Sequence, residues 1–237
     1  MKRSLEKELM DLPGQPRDVL EEDLRNLRIL NRCLGGSRAA IRGLERAVQT
    51  LQVREFSLLD VGTGSADIPA AIVDWARHRG VRARVVGLET HPVTAQTARV
   101  RLKGLPEVAI VRGDAARPPF PPHSFDFVLA SQLLHHFSVE AIVAALKTWS
   151  QLARRGVIIS DLVRHPIAYH GILYLTRLFT RNIMTLTDAP LSVKRAFTVT
   201  EWRDLFAAAG VGGFKLISVF PFRVVGIFRL DDKNDQR

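Results

Sequence analysis

The chain has 237 residues, 46% of them hydrophobic, a formal net charge of +10 and a single cysteine. That length suits one α/β domain with a buried core plus an accessory element, and leaves too little for two full domains. The lone Cys33 excludes an internal disulfide framework, a multi-cysteine metal site and cysteine-pair chemistry on a nucleobase.

The opening MKRSLEKELMDLPGQ lacks the apolar segment of a signal peptide, and no uncharged run approaches bilayer length. A cytoplasmic protein without a transmembrane segment is expected. The charge admits three kinds of partner: nucleic acid, an anionic membrane surface, or an acidic substrate or carrier. The basic residues are dispersed, however, through Arg25, Arg28 and Arg32, RHRGVRAR and LARRG, with no aromatic residues interleaved. They read as a solvated arginine-rich surface, and no nucleic-acid partner is expected.

The first fifty residues have a helical pattern, clearest in EEDLRNLRILNRCLGG, and are expected to form an N-terminal cap over 1–50. A domain over 51–237 follows. EFSLLDV is short, apolar and bounded by turn residues, so it reads as a strand; AAIVDWARHRG is a helix with a glycine stop at Gly80. VRARVVGLE is a strand ending at Glu89, and VTAQTARVRLKG a helix that stops at Gly104. EVAIVRGDA is a strand ending at Asp114, while the four prolines of ARPPFPPHS force a loop. FDFVLASQ, VEAIVAALKTWSQLA and RGVIISDLV follow as strand, helix and strand.

Residues 165–196 break this alternation with an apolar insertion, expected to be a helical lid. Thr198 and Glu201 form a capping box opening EWRDLFAAAG, which ends on Gly210. FKLISVF and RVVGIFRL close the chain, joined by Pro221 and Phe222; so short a link holds no crossover helix, so this pair is antiparallel. The expected fold is α/β and doubly wound. Its seven-stranded, mostly parallel sheet has an antiparallel last strand, helices on both faces, the N-terminal cap and the lid. Ligands of such sheets bind at the carboxyl ends of the strands.

LLDVGTGSADIP places glycines in the turn between the first strand and its helix. A dinucleotide fingerprint requires a third glycine where this chain has Asp67, so a pyrophosphate ligand is disfavoured. Asp60 beside the turn would repel a phosphate and attract a cation. S-adenosylmethionine fits that description, with a sulfonium, an ammonium, a ribose diol and an adenine, and no phosphate.

With those residues in order, the chain from about Phe56 to Arg229 resembles the Rossmann-like, class I S-adenosylmethionine-dependent methyltransferases, and among them the small-molecule enzymes of quinone and polyketide pathways. DVGTGSAD is similar to their glycine-rich motif, VVGLE to their second strand end and VRGDA to their third. The resemblance implies that Asp60, Gly62, Thr63 and Gly64 receive the methionine part of the cofactor. It also implies that Glu89 and Thr90 hold the ribose, Asp114 and Ala115 the adenine, and that Ala130 and Ser131 close the pocket. S-adenosyl-L-homocysteine would be the product, and no metal is expected.

The acceptor is read from two places. ASQLLHHF departs from the proline-aromatic motif of nucleobase and amide N-methylating members, and puts His135 and His136 where related O-methyltransferases place a histidine near the transferred methyl. A histidine titrating near neutrality can take the proton of a phenol of pKa about 10 as its oxygen attacks. Resemblance to the quinone-pathway enzymes favours His136 as that base, with His135 second. DAPLSVKRAF resembles a segment that faces the acceptor in quinone and polyketide relatives, implying Asp188, Ser192 and Arg195 as acceptor residues. The expected reaction is methylation of a small lipophilic aromatic or polyketide-like acceptor on a phenolic oxygen, as a monomer or homodimer. Carbon methylation of a quinone-type ring is the nearest alternative, ahead of RNA methylation and of a binding module without catalysis.

Overall fold

A computed structural model of the chain describes residues 1–230 apart from Gln52 and Gly212. The last seven residues of the expected 51–237 domain thus lie outside the described residues. Seven strands are present: β1 (Glu55–Val61), β2 (Arg82–Glu89), β3 (Val108–Arg112), β4 (Phe125–Ser131), β5 (Ala153–Leu162), β6 (Phe214–Val219) and β7 (Arg223–Arg229). They lie in the order β3-β2-β1-β4-β5-β7-β6, parallel except for β7, which runs antiparallel to both its neighbours. The order reverses between β1 and β4. A crevice opens there at the strand ends, because crossovers leave β1 and β4 in opposite directions.

Alternation along the strands feeds two cores. Phe56, Leu58, Phe127 and Ile158 pack against α2 (Gly36–Leu51) and α3 (Asp67–His78) on one face. Leu59, Val61, Val128 and Ile159 pack on the other against Trp149 of α5 (Val139–Leu152) and Trp202 and Phe206 of α8 (Val199–Ala209). The Thr198–Glu201 capping box opens α8 as its residues dictate, and Gly210 ends it in the left-handed region. Helix α4 (Pro92–Arg101) covers the β2–β3 edge through Ala98 and Leu102.

The N-terminal helices divide their tasks. Helix α2 lies on the sheet, whereas α1 (Arg17–Cys33) stands over the strand ends with the insertion helices α6 (Pro166–Phe179) and α7 (Ile183–Arg195). Leu30, Ile172, Ala189 and Val193 join these three helices. Leu20, Leu24 and Met184 form a second contact, over which Leu9 and Met10 pack. Asn26 Nδ2 donates to Thr185 Oγ1 and Asn182 Nδ2 to the Val19 carbonyl, fixing the register of α1 against α7. None of the described helices is long and apolar enough to cross a membrane.

Candidate active site

The turn after β1 is built so that backbone faces the crevice. Gly62 and Gly64 have φ of +68° and +57°, a region that side chains penalise. The amides of Gly62 and Thr63 donate to the Leu88 carbonyl at the end of β2, locking the turn to the neighbouring strand. Asp60 is 2% exposed and accepts from the Thr63 hydroxyl at 2.6 Å. Burial pushes its carboxyl up to about 7 against that hydrogen bond, with Asp67 and Glu89 adding to the rise.

Glu89 ends β2 and reaches across, accepting from the Gly64 amide at 2.9 Å and from the His91 amide at 2.8 Å. Burial raises its carboxyl despite both bonds. Asp114 follows β3, is exposed and accepts from the Ala116 amide; the Ala115 carbonyl accepts from Trp149. The turn, Glu89, Thr90, Asp114, Ala115 and Ser131 all border one cavity of about 770 Å³. Ala130 does not border it. Its side chain is 1% exposed and packs in the α5–α8 core, because successive residues of a strand point to opposite faces and Ser131 takes the crevice side. With Asp60, Asp67, Glu89 and Asp114 around it, this end of the cavity could hold a cationic ligand with hydroxyls, and suits a phosphate poorly.

The far end of the cavity holds the two histidines. His135 is buried, and its Nδ1 lies 2.7 Å from Asp161 Oδ1 at the end of β5. Asp161 also accepts from the amides of Leu134 and Leu162. Burial by itself would raise this carboxyl, but the His135 ring and those amides hold it below the usual carboxylate range. His136 Nδ1 lies 2.8 Å from Asp11 Oδ2. Asp11 and Glu8 belong to the segment before α1, which crosses the cavity mouth as a 3-10 turn over Leu9–Asp11. Glu8 is 2% exposed, and burial pushes its carboxyl up to about 7 although His136, Ser192 and Arg195 oppose the rise. Glu8, Asp11 and Asp161 were not among the residues singled out from the sequence. Of the three, Asp161 had a signal, an acid closing a buried strand as Asp60 and Glu89 do.

The three residues expected to face the acceptor all make hydrogen bonds to this N-terminal segment. Asp188 accepts from the amides of Leu9 and Met10. The Ser192 hydroxyl donates towards Glu8 Oε1, 2.9 Å away. Arg195 lies off the cavity and donates to the carbonyls of Glu6, His135 and His136, a buried guanidinium satisfied by backbone. Asp188 and Ser192 still border the cavity, beside apolar walls from Leu24, Leu27 and Leu30 of α1 and Ile172 and Leu175 of α6.

Residues 59–160 match the family model described as a methyltransferase domain, a span covering the glycine turn, Glu89, Asp114 and both histidines. Residues 59–160 thus resemble a methyltransferase domain. The matched span stops one residue short of Asp161 and leaves out α1, α6 and α7. Human N-acetylserotonin methyltransferase in complex with S-adenosylmethionine superposes with a TM-score of 0.64 at 15% identity, over 90% of this chain and 56% of that one. The chain therefore spans little more than half the length of that relative. A methyltransferase from Aquifex aeolicus gives 0.62 at 15%, over 88% and 97% of the two chains. An O-methyltransferase family 2 protein from Planctomyces limnophilus, in complex with apigenin, gives 0.52 at 19%, over 73% and 49%. No curated protein matches by sequence.

Proposed function

We infer that the protein is an S-adenosylmethionine-dependent methyltransferase that transfers the methyl group to a hydroxyl of a small apolar, aromatic acceptor. The observation that carries this reading is the continuity of the cavity. It runs from the glycine turn and Glu89 to His135 and His136, beneath leucines of α1 and the apolar face of α6. Cofactor and acceptor would meet beside these apolar walls, where orientation supplies most of the acceleration of an in-line displacement. The acceptor hydroxyl would stand at the Glu8, His135 and His136 cluster and lose its proton there. Of the two rings, His135 is the deeper, and Asp161 fixes its orientation, which supports it over His136 as the one on which proton removal depends. An acceptor end walled by leucines and isoleucine suits a polynucleotide poorly. The O-methyltransferase with bound apigenin shares the fold and is in keeping with a phenolic acceptor.

Incubation with methyl-labelled cofactor and a panel of resorcinols, quinols and alkylated phenols tests this reading. Labelled methyl ethers are the expected products, identified by NMR. Label found only on ring carbon would replace it with carbon methylation, and label found only in nucleic acid would overturn it.

Asp60 gives the cofactor half a pH signature. With its carboxyl raised to about 7, a cationic cofactor that favours the carboxylate must expel a proton on binding at lower pH. Affinity is therefore expected to rise by up to about tenfold per pH unit towards pH 7 and to level off above it, since linkage to one proton sets that slope. Asp60→Asn should bind more weakly and with a flatter profile. Calorimetric titrations between pH 5.5 and 8.5 measure both, and parallel profiles in the two proteins would remove Asp60 from contact with the cofactor's charge.

A further inference from the structure

We propose that Glu8, His135 and His136 form a three-ligand site for a divalent transition ion, with its open position facing the cavity. One ligand atom from each of the three residues lies within 4.8 Å of the other two. The cluster is built from behind as well as in front. Nδ1 of His135 lies against Asp161 at 2.7 Å, and Nδ1 of His136 against Asp11 at 2.8 Å. A carboxylate only accepts, so in each neutral ring the proton sits on Nδ1 and the lone pair on Nε2. A carboxylate behind each ring is the arrangement that orients metal-bound histidines and strengthens their donation.

Both Nε2 atoms face one carboxylate. His135 Nε2 is 3.7 Å from Glu8 Oε1, and His136 Nε2 is 3.7 Å from Oε2. These separations are too long for hydrogen bonds, so neither lone pair is taken by Glu8. They are close to the spacing of about 3.3 Å between two ligand atoms each about 2.0 Å from a tetrahedral ion. Charge favours a dication too. Glu8, Asp11 and Asp161 converge on the two rings, while Arg195, 3.8 Å from Glu8 and 3.6 Å from Asp11, is the guanidinium within ion-pair reach of the first two. Two imidazoles and one carboxylate suit zinc, with iron(II) or cobalt(II) as substitutes, better than magnesium or calcium.

Three protein ligands leave a fourth place, and it opens towards the acceptor space that Asp188, Ser192 and Leu133 also border. The role of that place rests on the acceptor reading above: the acceptor hydroxyl is the fourth ligand. Coordination acidifies the hydroxyl, as it does water on zinc. Its proton leaves to solvent, the bound oxygen forms the new O–CH3 bond, and the S–CH3 electron pair stays on sulfur. A neutral ether and S-adenosylhomocysteine result, with one proton released.

The test starts from protein stripped with a chelator and dialysed, in which binding of Zn²⁺ is followed by calorimetry and binding of Co²⁺ by its visible absorption. One ion per chain is expected, with intense bands of a four-coordinate cobalt site that shift when a phenol is added. Glu8→Gln should weaken the ion by about a hundredfold or more, at least the loss seen when an outer-shell partner is removed. Its affinity for S-adenosylmethionine, measured alongside, should stay at the wild-type value and report an intact fold. Binding unchanged in Glu8→Gln and in His136→Ala, or no stoichiometric ion in the wild type, would overturn the proposal. The acceptor reading fails separately. Full phenol methylation by the stripped protein removes the ion and keeps the reaction, whereas a cobalt site without any methyl ether keeps the ion and removes the reaction.

Discussion

Gly64→Val is expected to lose S-adenosylmethionine binding by at least a hundredfold while keeping the fold. A Cβ at Gly64 would meet nothing within 4 Å, because the space beside it is the cavity itself. The valine therefore collides with the ligand and not with the protein. Its φ of +57° adds strain of about 1–2 kcal/mol for a residue with a side chain, enough to lower the melting temperature by a few degrees and too little to unfold a domain of this size. Gly62→Val should lose binding as well, at a larger cost in stability, since its Cβ would stand 2.8 Å from the Leu133 side chain. Gly80 supplies the control. It has a φ of +65° and open space around it, but lies at the end of α3 away from the cavity. Gly80→Val should pay the same strain and bind the cofactor normally. Calorimetry and thermal unfolding on the three variants separate the effects, and wild-type affinity in Gly64→Val would sink this assignment of the turn.

Removing the His135 ring is expected to lower turnover by about a hundredfold or more, the usual scale for a group on which proton removal depends, with cofactor affinity nearly unchanged. His135→Ala has a second consequence: Asp161 is fully buried, and without the ring its charge loses its partner. Such losses typically cost about 3–5 kcal/mol. His135→Gln, which can still donate to Asp161, is the variant that separates chemistry from folding. Asp161→Asn keeps an oxygen for only one of the Leu134 and Leu162 amides, which sit on different carboxylate oxygens, and should give an intermediate fall in turnover with some loss of stability. Raising the pH should partly rescue all three, because a phenol of pKa about 10 then ionises in solution. Full activity in His135→Gln, His136→Ala and the double variant would leave positioning alone as the source of catalysis.

The glycine-turn end of the cavity was legible, Ala130 apart, because its residues sit where local rules put them. The acids Asp60, Glu89 and Asp114 lie at or just beyond the ends of apolar runs, and the glycines fall between a strand and a helix. The antiparallel β6–β7 pair followed from a link too short for a helix. The acceptor half obeyed no such rule. Glu8 and Asp11 lie in a stretch with a charge every two or three residues and no periodicity, and they acquire meaning only by packing against His135 and His136. Asp188, Ser192 and Arg195 were read as acceptor residues because DAPLSVKRAF resembles a segment that faces the acceptor in quinone and polyketide relatives. Buried polar groups need partners of some kind, and here the chain supplies them from its own first dozen residues.

That N-terminal segment gives the molecule two levels of completeness. Its hydrogen bonds to the rest of the chain link residues 125 to 192 positions apart, and none of them involves the glycine turn or Glu89. A strap with little buried apolar surface is the first part of a structure to open. Were it to lift, Glu8 and Asp11 would leave with it, while the sheet and the glycine turn would keep every bond described above. That would be a loaded but idle state, a folded protein holding a reactive sulfonium with nothing assembled to receive its methyl group. Re-docking of the strap would then arm the site, so that the methyl group is committed only when the acceptor chamber is closed.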